Sequence, residues 1–253
     1  MRTVARISVT PVKGFALLHP TEVELTMDGV VGDRRFLLVN ADGKRLRSSL
    51  TAWPIVVSGE YDAAAERLRL RFPDGAVVED SALGNGPVRQ WDLHHGDVAR
   101  GQVVDGDWND RLSALAGHDV RLIRPDTTAG LRDAPVTLVS RGSVERLERE
   151  AGGPVDARRF RMLFELDGCA AHEEDTWDGR RVRAGTAVLC VGGAVPRCAA
   201  TTRHPESGER DLDTLRLIKG YRGVRDGKAI DFGVYASVEE PGRVRVGDAV
   251  EPL

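Results

Sequence analysis

The sequence predicts a β-rich α+β fold, in which an N-terminal antiparallel β-barrel-like domain packs against a second β-barrel domain that carries a few helices. Short alternating apolar segments fill about the first 100 residues, few segments have helical periodicity, and the C-terminal part returns to strands. Several short strands at this spacing are typical of an antiparallel sheet that closes or nearly closes. The 253 residues are enough for two packed domains, and we predict them at residues 1–115 and 116–253.

The predicted N-terminal strands carry apolar side chains at alternate positions, and turn-forming residues separate them. The alternating segments are residues 3–9, 23–27, 36–39 and 68–72, and the turns are residues 28–29, 42–43 and 73–75. In the C-terminal part, the segments TAVLCVGG, DFGVYASV and GRVRVGDAV are predicted to be strands.

Two segments have the spacing of amphipathic helices. Residues 107–117, DWNDRLSALAG, have one apolar face and end at Gly117. In residues 143–153, SVERLEREAGG, we expect Ser143 to cap the helix and Gly152 to end it.

The composition excludes several classes of protein. A net charge of −3 argues against a nucleic-acid-binding protein, which usually carries a strong excess of basic residues. No apolar run approaches the roughly 20 residues that a membrane helix needs, so no membrane partner is expected. The three cysteines include no C-x-x-C pair, which argues against a disulfide framework and a structural zinc site. Free thiols persist in a reducing compartment, so we predict a cytoplasmic protein.

Cys198 is the candidate reactive cysteine. It lies in the turn-rich segment GAVPRCAATTRHPESG, residues 193–208, directly after Arg197. A neighbouring cation favours the thiolate, which is the nucleophilic and metal-binding form of cysteine. The alternative interpretation is a small buried apolar side chain. Cys169 and Cys190 are predicted to be structural, because nothing beside Cys169 activates its thiol and Cys190 lies within an apolar segment.

Two arginine-rich motifs and one lysine are candidate anion-binding groups. GDRRF contains Arg34 and Arg35 before a strand, and DARRFRM contains Arg161 before another. Adjacent strand residues point to opposite faces, so one arginine of a pair can point inward and bind two phosphate oxygens. The alternative is a surface salt bridge, and Lys13 in TPVKG is either an anion contact or a turn lysine. The histidines at residues 94–95 are predicted to form a solvated edge.

Four stretches of the sequence carry a family resemblance. They are VTPVKG with TMDGVVGDRRFLLVNADGK, then RRFRMLFELDGCAAHEEDTWDG, PRCAATTRHPESGE and FGVYASVEEPGRVRVGDAV. In this order they resemble the motifs of MOSC domain proteins with an N-terminal MOSC β-barrel domain. The resemblance covers nearly the whole chain, and it is closest to the molybdenum-cofactor enzymes related to the mitochondrial amidoxime-reducing component.

The resemblance implies a cofactor site. In the family, the cysteine of the R-C-x-x-T motif supplies a thiolate to molybdenum; here it is Cys198, the implied metal ligand and catalytic residue. In the family, a lysine and two arginines hold the phosphate and pterin; here they are Lys13, Arg35, with Arg34 as the alternative, and Arg161. The implied cofactor-binding residues are Lys13, Arg34, Arg35, Ser140, Ser143, Arg161, Arg197 and Thr201. Gly14 and Leu163 stand where the family has a serine and an asparagine.

The resemblance also implies a function. The expected activity is that of a molybdenum-cofactor-dependent oxidoreductase, which reduces hydroxylamines, amidoximes or N-oxides with electrons from a separate electron-transfer protein. The expected partners are thus a small-molecule substrate and that electron donor, with no nucleic acid and no membrane. Two alternatives are a sulfur carrier with a persulfide on Cys198 and a cofactor-binding protein without catalysis. Pyridoxal phosphate is expected only in a partner protein, not in this chain.

Overall fold

The computed structural model describes residues 1–47, 49–92, 98–127 and 133–253, so the histidine pair at residues 94–95 lies outside the described residues. The strands of the described residues are β1 (Thr3–Ile7), β2 (Glu22–Thr26), β3 (Gly29–Val30), β4 (Leu37–Asn40), β5 (Ser58–Asp62), β6 (Arg67–Arg71), β7 (Val77–Ser81), β8 (Val88–Asp92), β9 (Val98–Val103), β10 (Val120–Pro125), β11 (Val136–Ser140), β12 (Phe164–Asp167), β13 (Arg181–Ala184), β14 (Ala187–Pro196), β15 (Asp231–Glu240), β16 (Gly242–Arg245) and β17 (Val250–Pro252). The helices are α1 (Trp108–Ala116), α2 (Arg141–Ala151) and α3 (Thr214–Arg222). Short 3-10 turns lie at Trp53–Val56, Ala157–Phe160, Glu173–Trp177 and Ala199–Thr202.

The largest sheet has seven strands and curls into a nearly closed barrel. Its order is β1-β12-β11-β15-β14-β13-β17. The two edges of the sheet meet, because Val4 N donates to Asp248 O at 2.9 Å and Val250 N donates to Arg2 O at 2.9 Å. The barrel core includes Ile7, Leu25, Leu138, Phe164, Leu189 and Val234, each of which is at most 1% exposed.

Two smaller antiparallel sheets surround a second core in the N-terminal region. Their orders are β4-β10-β9-β8 and β5-β6-β7. Helix α1 packs on this core with Trp108 and Leu112 fully buried. Asn109 fastens the helix, because its Oδ1 accepts from Leu122 N and its Nδ2 donates to Val104 O, both at 2.9 Å. The predicted β-rich α+β fold with an N-terminal barrel domain is therefore confirmed.

Strands on the two sides of the predicted domain boundary pair with each other. β1 belongs to the seven-stranded sheet, and β2 pairs with β16 so that Val23 lies opposite Val244. β10 in turn pairs with β4, with Leu122 opposite Leu38. The division of the chain at residue 115 stays a prediction.

Helix α2 begins one turn earlier than the sequence suggested. Ser140 caps it, because Ser140 Oγ accepts from Ser143 N at 3.1 Å. The prediction that Ser143 is the cap is wrong, since helical conformation already begins at Arg141 and Ser143 lies within the first turn. Ser140 N and Ser143 Oγ both donate to Oε1 of the buried Glu174, at 3.1 and 2.8 Å. Gly152 ends the helix as predicted, with a φ of 71°.

The half-buried His172 directly precedes the 3-10 turn Glu173–Trp177 and contacts the last turn of α3. His172 has a left-handed backbone with a φ of 60°. Arg222 donates to His172 Nδ1, so the neutral ring carries its proton on Nε2 and donates to Tyr221 Oη at 3.1 Å. Burial, together with the guanidiniums of Arg222 and Arg146, lowers the pKa of His172 to about 4. The fold therefore requires an uncharged imidazole at this position.

Truncation of two leucines of α1 should lower the stability of the protein by different amounts. Leu112 is fully buried, whereas Leu115 is 38% exposed. Leu112→Ala should lower the free energy of unfolding by about 2–5 kcal/mol, because it removes packed methyl groups and leaves a cavity. The same truncation at Leu115 should cost less than about 1 kcal/mol. Urea denaturation of both variants measures the difference, and equal losses would contradict this packing.

The lowered pKa of His172 predicts that the stability of the protein depends on pH. The unfolded chain takes up a proton on His172 near pH 6.5, while the folded chain resists it until about pH 4, so stability falls as the pH decreases through this interval. His172→Asn, which tolerates the left-handed backbone, should remove about 1–2 kcal/mol of that loss. Urea denaturation across the interval tests this, with the exposed His118→Asn as the control. An unchanged slope in His172→Asn would show that other groups cause the acid sensitivity.

Candidate functional site

A cavity of about 430 Å³ is lined by loops that adjoin both the seven-stranded and the smaller sheets. Its polar and ionisable lining residues include Lys13, Asp33, Arg34, Arg45, Arg47, Ser49, Asp133, Thr137, Arg159, Arg161, Arg197, Cys198, Thr201 and Tyr235. Seven of these described side chains are cationic and two are carboxylates. An excess of cations in one concave site favours an anionic ligand.

Lys13 is the lysine among the described lining residues, and its pKa is strongly lowered. Its backbone is fixed after Pro11, where Lys13 N donates to Phe36 O at 2.8 Å, and the next residue, Gly14, turns the chain with a φ of 99°. Burial and the nearby guanidinium of Arg45 lower the pKa of Lys13 to about 7, with smaller effects of the same sign from other arginines and an opposing effect from Asp133. Lys13 is therefore half-protonated near neutral pH, and an anion beside it would restore its charge.

Arg34 and Arg161 both line the cavity, and both have left-handed backbones, with φ angles of 50° and 52°. Arg34 Nη1 donates to Asp33 Oδ2, and Arg34 Nη2 donates to Arg161 O at 2.9 Å. Arg161 Nη2 donates to Phe15 O at 2.6 Å. Burial and the charge of Arg34 lower the pKa of Arg161. Two like charges are thus held together by backbone carbonyls, in an arrangement that a bound anion would stabilise.

Cys198 presents an exposed thiol at the end of β14. The turn Ala199–Thr202 follows, and Thr201 fixes it, because Thr201 Oγ1 donates to Cys198 O at 3.1 Å. Thr201 Oγ1 also lies 2.7 Å from Thr214 Oγ1 at the start of α3. The hydroxyl of Thr201 therefore positions the backbone of Cys198.

Arg197 is fastened to the protein framework. Its Nε donates to Phe232 O at 2.8 Å and its Nη1 donates to Phe160 O at 3.1 Å. The guanidinium also lies over the Phe160 ring, 5.3 Å from the centroid. Burial lowers the pKa of Arg197, while the side chains of Tyr235 and Cys198 act in the opposite direction. A fixed guanidinium thus lies directly before Cys198 in the chain.

The structure brings six of the nine predicted site residues to this cavity. They are Lys13, Arg34, Arg161, Arg197, Cys198 and Thr201. It places Arg35 elsewhere, where Nη1 donates to Pro125 O at 2.8 Å. Ser140 and Ser143 are buried at the start of α2 and hydrogen-bonded to Glu174. The cofactor-binding roles of all these residues stay predictions.

Sequence reasoning missed six charged or phenolic residues of the cavity: Asp33, Arg45, Arg47, Asp133, Arg159 and Tyr235. Tyr235 donates to Asp133 Oδ2 at 3.0 Å, and burial and this carboxylate raise the pKa of Tyr235. Arg159 forms a two-point ion pair with Asp211. In the segment KRLRS, a leucine separates the two arginines, so Arg45 and Arg47 would share one face of an extended segment. This spacing was the one sequence signal that could have indicated the pair.

The described residues lack two features, a clustered metal site and a helix that could cross a membrane. Across residues 1–47, 49–92, 98–127 and 133–253, no group of three or more His, Cys, Asp or Glu side chains forms a metal site. In the same part of the chain, no helix has the length and apolarity that crossing a membrane requires.

The chain is similar to known protein families and to known proteins. The family model of the MOSC N-terminal beta barrel domain matches residues 1–93, and that of the MOSC domain matches residues 94–251. Mitochondrial amidoxime reducing component 2 of Rattus norvegicus is 34% identical over 291 residues, which cover 98% of this chain and 82% of that protein. Mitochondrial amidoxime-reducing component 1 of Mus musculus is 26% identical over 279 residues, which cover 98% and 81%.

Among solved structures, the YUAD protein from Bacillus subtilis is similar over 99% of this chain and 96% of its own, at 12% identity and a TM-score of 0.42. The two family models together span residues 1–251 in the order that the sequence motifs suggested. This chain belongs to the MOSC domain family.

Proposed function

We propose that this protein is a molybdenum-cofactor-dependent reductase of N-oxygenated small molecules. One observation carries the proposal: an exposed cysteine thiol opens into a cavity whose described lining holds seven cationic side chains. The family membership and the names of the relatives, amidoxime-reducing components, support the same activity.

The residues present fit this cofactor. Lys13 and Arg161 have lowered pKa values in a shared cavity, so a phosphate between them would relieve the repulsion among buried cations. We assign the phosphate and pterin to Lys13, Arg34 and Arg161. A soft thiolate suits molybdenum, and Cys198 would supply it. When bound, the cofactor supplies a metal that exchanges two electrons with the substrate.

The overall reaction balances with a separate electron-transfer protein as the reductant. A hydroxylamine R–NHOH takes up two electrons and two protons to give R–NH2 and water. The chain contributes the fixed position of Cys198, which Thr201 and Arg197 maintain. The raised pKa of Tyr235 keeps the proton on its hydroxyl oxygen at neutral pH, beside Asp133 at the same cavity.

A sulfur carrier is the second candidate, and the exposure of Cys198 favours it. Such a carrier would hold a persulfide on Cys198, received from a sulfur-donor protein. This role needs an accessible thiol but leaves the cationic lining without a ligand. Mass spectrometry of the purified protein would detect the mass of one added sulfur atom on Cys198.

The first test replaces the thiol. Protein from a host that makes the cofactor should contain stoichiometric molybdenum and reduce benzamidoxime with dithionite as the reductant. Cys198→Ser should lower kcat by at least about 100-fold, because the oxygen ligand is harder than the thiolate. Cys190→Ser, a half-buried thiol of β14, is the matched control. Full turnover by molybdenum-loaded Cys198→Ser would refute the role of Cys198, and absence of molybdenum from the wild type would refute the reductase.

The second test uses the pKa of Lys13. Below pH 7 the lysine is charged, and above pH 7 an anion must draw in a proton when it binds, so anion affinity falls as the pH rises. Sulfate, whose charge is constant in this range, should bind cofactor-free protein about tenfold more weakly at pH 9 than at pH 6.5. Lys13→Met should remove most of that pH dependence, whereas exposed Lys219→Met should retain it. Calorimetry measures both, and a parallel pH profile in Lys13→Met would contradict the assignment.

A further inference from the structure

Two arginines of the cavity are not among the residues assigned to the cofactor, although Arg45 lies close enough to Lys13 to lower its pKa. Arg45 and Arg47 follow β4 and line the same cavity as Cys198. The segment is extended, because Arg45 bridges to Val39 and Leu46 N donates to Leu38 O at 2.9 Å. Residues two apart in an extended segment point to the same side. Both guanidiniums can therefore act on one ligand.

Charged neighbours act on Arg45, the half-buried member of this pair. Burial and the neighbouring Arg47 lower the pKa of Arg45, and Asp133 is the carboxylate that acts in the opposite direction. Asp133 also accepts the hydrogen bond of Tyr235. Asp133 therefore acts on both Arg45 and Tyr235 at this side of the cavity.

Other arginines of the lining have different surroundings. Arg159 is matched by the two oxygens of Asp211, and Arg197 is held by two backbone carbonyls. Arg47 is exposed and Arg45 is half-buried, so the pair reaches from solvent into the cavity. That position suits recognition of an incoming charged group more than support of the framework.

We propose that the preferred substrate carries a carboxylate or a similar oxyanion, which Arg45 and Arg47 bind while the N-oxygenated end reaches Cys198. The inference rests on the proposed function and names the substrate class of that site. A guanidinium presents a planar fork of N–H donors that matches both oxygens of a carboxylate, and two such forks on one side define a binding point. The positive potential also attracts anions from solution.

The experiment compares two probes that share one reducible group. Molybdenum-loaded protein is assayed with benzamidoxime and with 4-carboxybenzamidoxime, with dithionite as the reductant. The KM of the carboxylated probe should be about tenfold lower than that of the neutral probe, as expected for hydrogen bonds to a charged group. Arg45→Gln and Arg47→Gln should each reduce this ratio by about five- to tenfold. Added salt should reduce the ratio in the wild type.

A binding measurement and a control complete the design. Calorimetry with 4-carboxybenzamide and benzamide, which lack the N-oxygen, reports recognition without turnover. Arg216→Gln on α3, whose side chain is 81% exposed, removes an arginine outside the cavity lining and should leave the KM ratio unchanged. Molybdenum content is measured for every variant.

The outcomes separate the two proposals. A loaded protein that reduces neither probe would refute the reductase, while calorimetry would still decide whether Arg45 and Arg47 select the carboxylate. Equal KM values for the two probes, or a ratio that survives Arg45→Gln and Arg47→Gln, would overturn the anionic substrate alone. Loss of molybdenum in either variant would also overturn it, because the arginines would then belong to the cofactor site.

Discussion

The carboxylate of Asp33 is the interaction on which the cavity depends. It is 5% exposed, and it accepts from Thr10 N at 2.9 Å and from the guanidinium of Arg34. Through Arg34 the bonds continue to Arg161 O, and from Arg161 to Phe15 O. One buried acid thus fixes loops that are far apart in the sequence. Removing one partner of a buried ion pair typically costs about 3–5 kcal/mol, because the other charge stays uncompensated.

This arrangement keeps cations in place before any ligand binds. Arg34 and Arg161 both adopt left-handed backbones, which non-glycine residues seldom do and which the surrounding hydrogen bonds maintain. Burial makes each charge costly, as the lowered pKa values of Lys13 and Arg161 show. An anion bound among these cations would reduce that cost. The free energy spent on holding these buried cations in place would then contribute to the affinity for the anion.

The sequence was sufficient for the fold class, for α1 and for the end of α2, because periodicity and turn residues are local signals. Helix α3 was missed because it contains Gly220, which lowers helix propensity, although Asp213 caps it by accepting from Arg216 N. Arg34 lines the cavity and Arg35 does not, and no local pattern indicates the left-handed backbone of Arg34. Arg45 belongs to the cavity only through tertiary structure, since its segment reads as an ordinary polar loop.

The closure of the seven-stranded barrel has a consequence for how the chain folds. β1 pairs with β12, and it meets the residues beside β17 only when nearly the whole chain has been synthesised. Such distant pairings are slow to form, because the entropy of closing a long loop is lost before the contacts are gained. Until these later strands have been synthesised, β1 has unpaired edges. Such edges can pair with other chains, so the nascent chain is prone to aggregation during this interval.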